Sequence, residues 1–142
     1  MTVPTPVLGI ELMDTDHRRI DGIFEAISAA SDDDLPRLYH ELDGEIAAHF
    51  SREEKLMEEA GFPGFHCHVA QHNTVLEQLR RGAKMAAAPS VAELREHLTR
   101  IMPQVVQAHV FTLDRMTAAF LKGEFNRSVF GPLRLPVETR AQ

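Results

Sequence analysis

The chain has 142 residues, enough for one domain that buries a core without disulfides, and its 44% hydrophobic and 25% charged residues suit a soluble globular protein rather than a disordered or membrane one. Fifteen Lys and Arg against 21 Asp and Glu leave a formal charge of −6, which argues against a nucleic-acid surface, because phosphate binding gains from clustered cations. The single cysteine, Cys67, allows no intramolecular disulfide; with no signal-peptide pattern in residues 1–16 and no apolar run of about 18 residues, it points to a cytoplasmic protein.

Residues 1–16, with Pro4, Pro6 and Gly9, read as an extended N-terminal arm. From His17 to Ala30, Ile20, Ile23, Phe24 and Ile27 recur at helical spacing, and His17 lies on the same face; Asp14, Thr15 and Asp16 stand where they can cap that helix. Acidic residues 32–34 and Pro36 announce a second helix, whose stripe is Leu35, Leu38, Leu42, Ile46, His49, Glu53 and Leu56 or Met57, with Arg52, Glu54, Lys55 and Glu58 on the other side. Gly61 and Pro63 stop it. The third helix runs from Pro63 or Gly64 through Phe65, His68, His72, Val75, Leu76 and Leu79 to about Ala88, before Pro89.

Ser90-Val91-Ala92-Glu93 reads as a capping box for a fourth helix striped by Leu94, Leu98, Ile101, Val105, His109, Leu113, Met116 and Phe120. Pro103 should kink that helix, and Gly123 should end it. Four amphipathic segments with short connections pack best as an all-α, antiparallel up-down-up-down four-helix bundle over residues 17–122, with residues 123–142 as an irregular C-terminal tail.

Seven metal-capable groups, His17, His49, Glu53, His68, His72, His109 and Asp114, fall on or near the apolar faces of four separate helices. Burying them unpartnered would cost about 1–3 kcal/mol each, so a shared metal site is the economical reading. An i, i+4 pair such as His49 with Glu53, or His68 with His72, reaches one site from one helix. Asp114 lies five residues after His109, about 140° away on an ideal helix, so a π-type bulge between them is expected to turn it inward. The donor types alone leave iron, zinc and manganese open. His40, His66 and His97 fall off the metal face and are expected at the surface or behind the ligands. Cys67 is expected to point away from the site as a buried or half-buried thiol, and Met57, Met102 and Met116 as core.

The segments Gly9-Ile10, Asp14-Thr15-Asp16-His17 and His49-Phe50-Ser51-Arg52-Glu53-Glu54-Lys55-Leu56-Met57, the His68/His72 pair and the five-residue step from His109 to Asp114 together resemble the hemerythrin family, in particular its bacterial single-domain members. Asp16 departs from the pattern, which commonly has Gln there. The resemblance implies two non-haem irons joined by an oxo or hydroxo bridge: one bound by His68, His72 and His109, the other by His17 and His49, with Glu53 and Asp114 bridging both. By that count one position, on the two-histidine iron, stays open for dioxygen. It further implies an apolar oxygen pocket lined by Phe50, Val106 and Val110. The expected activity is reversible dioxygen binding for storage, delivery or scavenging, in a monomer or weak homo-oligomer. The competing expectations are a di-iron oxidase, peroxidase or nitric-oxide reductase, a sensor of oxygen or nitric oxide acting through a separate partner, and a hydrolytic zinc or manganese site.

Overall fold

The computed structural model describes residues 4–87 and 90–124. Helix α1 spans Glu11–Ala29, α2 Leu35–Ala60 and α3 Phe65–Ala87, and a three-residue 3-10 turn, Asp32–Asp34, precedes α2. The fourth rod is composite: α4 (Val91–Glu96), a π turn (His97–Ile101), α5 (Met102–His109), a second π turn (Val110–Asp114) and α6 (Arg115–Leu121). α1 packs on α2, α2 on α3, α3 on the fourth rod, and the fourth rod returns to α1. The result is the expected all-α four-helix bundle, and no strand occurs among the described residues. None of these helices is long and apolar enough to cross a membrane.

Most helix stops lie where the sequence puts them. Gly61 adopts φ +67°, with its N–H bonded to the Glu58 carbonyl and that of Phe62 to Met57, a left-handed C-terminal cap that a glycine enters at little cost. Gly123, at φ +78°, closes the fourth rod in the same way. The third helix continues to Ala87, and the expected role of Pro89 lies outside the described residues, as does the tail beyond Glu124.

Three local expectations are corrected. α1 starts at Glu11, not His17, so Asp14, Thr15 and Asp16 lie inside it rather than capping it. Asp14 instead accepts the backbone N–H groups of Leu8 and Gly9 (2.8 and 2.9 Å), which ties the arm back onto the helix. Farther out, the backbone N–H and the hydroxyl of Thr5 both donate to Asp21 (2.9 and 2.8 Å). Ser90 takes the N-cap position of α4 but makes no side-chain cap bond. Finally, Met116 is 40% exposed, and Thr117 and Ala118 are buried in its stead.

The displaced stripe has one cause. Each π turn adds a residue to a helical step, so the inward face of the fourth rod moves by one position every time. Pro103 falls in the first turn of α5, immediately after a π turn, where its missing N–H is tolerated.

Packing divides into two apolar clusters. The larger joins Ile20, Phe24, Ile27, Leu38, Leu42, Ile46, Leu79, Leu94, Leu98 and Met102, and the smaller is Leu8, Met13, Val110 and Ala118. Apart from His97, the buried polar side chains of the four rods lie toward the smaller cluster, nearer the end where α1 begins and the fourth rod finishes.

Candidate metal centre

α1 contributes His17, α2 His49 and Glu53, α3 His68 and His72, and the fourth rod His109 and Asp114; all seven are buried. Their donor atoms form two groups. One is Glu53, His68, His72, His109 and Asp114, the other His17, His49, Glu53 and Asp114, and within each group the donor atoms lie within 4.8 Å of one another. The two carboxylates belong to both.

The atoms of those carboxylates are divided between the groups. Glu53 Oε1 lies 3.1 Å from His68 Nε2 and 2.8 Å from His72 Nε2, whereas Oε2 faces His49 Nε2 at 3.7 Å. Asp114 Oδ1 lies 3.0 Å from His68 Nε2 and 3.1 Å from His109 Nε2, while Oδ2 lies 3.0 Å from His17 Nε2. The inward geometry of Asp114 depends on the expected π turn, which is present as Val110–Asp114.

Several inward atoms are close to neighbours yet out of line for hydrogen bonding: His17 Nε2, His49 Nε2, Glu53 Oε2 and both Asp114 oxygens have no hydrogen-bond partner among the described residues. Leaving buried polar atoms in that condition is costly. Electron-pair donors converging on a common point suit a cation, and mixed imidazole and carboxylate donors suit a transition metal.

Other residues hold the rings from behind. His68 Nδ1 lies 2.7 Å from Thr117 Oγ1, whose own hydroxyl donates to the Leu113 carbonyl at 2.9 Å. The Thr117 oxygen therefore accepts from His68, which places that proton on Nδ1 and leaves Nε2 facing inward. His72 Nδ1 meets Glu54 Oε2 at 2.7 Å, and His49 Nδ1 meets Asp16 Oδ2 at 2.9 Å. The outward nitrogens of His17 and His109 have no such support among the described residues.

Electrostatics follow from this packing. Burial and the neighbouring Asp114 charge push the Glu53 carboxyl up, but hydrogen bonds with His68 and His72 outweigh them and hold it below its ordinary value. Burial acts likewise on Asp114, and the contacts with His109, His17 and His68 draw it well below the usual carboxylate range. Burial disfavours the charged form of His68, yet Asp114 and Glu53 together raise it to about 9. His17 is raised in the same way, burial being outweighed chiefly by Asp114. The two buried carboxylates thus favour positive charge between them, a proton on His68 or a cation that takes its place.

Beside the donors is a narrow cavity. Ile20, Ile46, Phe50, Val75, Val106 and Val110 form its apolar walls, with His17, His49, His109, Asp114 and the arm residue Thr5 at its margins. Its room is on the scale of a single small molecule. The Phe50 ring stacks on His72, centroids 3.7 Å apart and planes 11° from parallel.

Residues set aside in the sequence fall differently. His40 and His66 are exposed, but His97 is buried and its Nε2 donates to the Gln78 carbonyl at 2.8 Å, so it is a packing residue of the far cluster. Cys67 is exposed rather than half-buried. Asp16, Glu54 and Thr117 were not legible as supports, because each meets its histidine through the tertiary fold.

The profile of the family described as hemerythrin HHE cation binding domain matches residues 8–121. A protein named bacteriohemerythrin from Ralstonia nicotianae is 31% identical over 114 residues, covering 80% of this chain and 82% of that protein. No solved structure matches the chain.

Proposed function

The chain belongs to the hemerythrin family, and from that premise we propose that it binds dioxygen reversibly at two non-haem irons joined by an oxo or hydroxo group. In this reading His68, His72 and His109 hold one iron, His17 and His49 hold the other, and Glu53 and Asp114 span both. A ferrous pair, held by these residues, would supply the electrons that dioxygen binding requires. The observation that carries the reading is the division of each carboxylate, one oxygen turned to each histidine group.

The chain's own part is to position and to exclude. Thr117, Glu54 and Asp16 keep three imidazoles aimed inward with the proton on the outward nitrogen. The apolar walls, Phe50, Val106 and Val110 among them, keep water away from the ligand side, which favours release of the gas unchanged over its loss as a reduced product. Histidine donors outnumber carboxylates, five to two, unlike the carboxylate-rich bundle sites of di-iron oxidases. A reducing compartment suits the exposed free thiol of Cys67, so the cytoplasm is part of the proposal.

The test is anaerobic loading with Fe(II), then repeated oxygen and argon cycles under a visible spectrometer. A charge-transfer band that rises with oxygen and vanishes under argon over many cycles is expected. One irreversible conversion to a diferric form overturns the carrier and leaves a di-iron oxidase.

A further inference from the structure

Asp16 is a buried acid that belongs to neither group of donors. Its Oδ2 faces His49 Nδ1 at 2.9 Å and accepts from Arg52 Nε at 3.0 Å, while its Oδ1 accepts from Arg52 at 3.0 Å and Arg19 at 3.1 Å. Glu45 ties the same two arginines together from the outside, at 3.0 and 3.2 Å. A forked arginine fixes a carboxylate in direction as well as charge. The carboxylate behind His49 is therefore held by a cage whose outer members are half in water, and the ring inherits its orientation.

The two halves of the centre differ in how much such support they have. Among His68, His72 and His109, two rings are held from behind, by Thr117 and Glu54. Between His17 and His49, among the described residues, only His49 is held from behind, and it is Asp16 that holds it. We propose that Asp16 is a positioning residue for the two-histidine half: its caged carboxylate fixes the His49 ring with Nε2 inward and makes that imidazole a stronger donor. The proposal rests on the dinuclear reading above and adds which support sets which half. Removing Asp16 leaves the two-histidine half with no ring held, whereas removing Glu54 leaves the other half the Thr117 contact.

The experiment is a stepwise Co(II) titration of the full chain stripped of metal, read by calorimetry and visible absorption. Two ions per chain are expected for the native protein, the tighter in the three-histidine half with its five donors. Asp16→Ala should weaken the second step about 10- to 100-fold, the usual effect of losing such a support, and leave the first nearly unchanged. Asp16→Asn keeps an acceptor without the charge and should fall between; it carries the test if the alanine variant does not fold. Glu54→Ala should weaken the first step instead. An unaltered second step in both Asp16 variants, or an equal weakening of both steps that marks a merely structural role, overturns the proposal. Native protein that takes up fewer than two ions overturns the dinuclear reading itself.

Discussion

Thr117→Val exchanges a hydroxyl for a methyl of nearly the same shape at a position with no exposure. The change strips the outward nitrogen of His68 of its 2.7 Å acceptor, and no water reaches either side chain, since His68 is also fully buried. A buried donor left unsatisfied costs about 1–3 kcal/mol. At roughly 3–4 °C per kcal/mol for a chain of this size, the melting temperature of the metal-free protein should fall by about 3–12 °C. A second consequence is specific to the centre: with the His68 ring free to turn, affinity for the first metal ion should drop about 10- to 100-fold. Thr117→Ser keeps the hydroxyl and loses only a methyl, so it should melt slightly low yet bind metal as the native protein does. Calorimetric melts and metal titrations of the three proteins decide the matter. A valine variant that melts and binds like the native chain would show that the hydroxyl does not orient His68.

Glu53→Ala and Asp114→Ala should each lower iron content to one or none per chain by metal analysis; native content in both removes the bridging assignment. The metal-free protein should lose stability as pH rises from 6.5 to about 9, because folded His68 keeps a proton that the unfolded chain gives up near 6.5, and that contribution is complete only below 6.5. Denaturant melts across this window check the slope, and metal affinity should rise over the same interval as that proton is displaced. Gly82→Ala should destabilise by about 1–3 kcal/mol, since its Cβ would stand 2.7 Å from a Tyr39 ring pinned by its hydroxyl to the Leu79 carbonyl. Gly44→Ala, inside α2 with nothing within 4 Å of the new Cβ, should instead stabilise by about 0.5–1 kcal/mol, and thermal melts of the pair give the contrast.

The bundle was legible because 3.6-residue periodicity is a local signal, and its stripes held through α1, α2 and α3. In α2 even the choice left between Leu56 and Met57 has a plain outcome, Met57 being fully buried. The start of α1 was not legible: three polar residues at 14–16 imitate a cap, and only the arm's folding back onto Asp14 reveals their other use. One π turn was foreseen because two chemically meaningful residues stand five apart around it. The other, His97–Ile101, has no such pair to announce it. The metal-capable side chains were legible as a set because buried histidines on apolar faces need partners. Their supports were not, since Thr117 is 49 residues from His68 and Asp16 is 33 from His49, distances over which no periodicity speaks.

The extra residue in the Val110–Asp114 turn does more than aim one acid. In an uninterrupted helix at about 100° per residue, Asp114 would stand about 140° around from His109, and Thr117, eight residues on, about 80°. Absorbing one residue brings them to roughly 40° and 20°, so a ligand and the hydroxyl behind another ligand swing into place together. A change that straightened this stretch at constant length would take both from the centre in one stroke, whereas excising a single exposed residue such as Thr112 would straighten it and leave both facing inward.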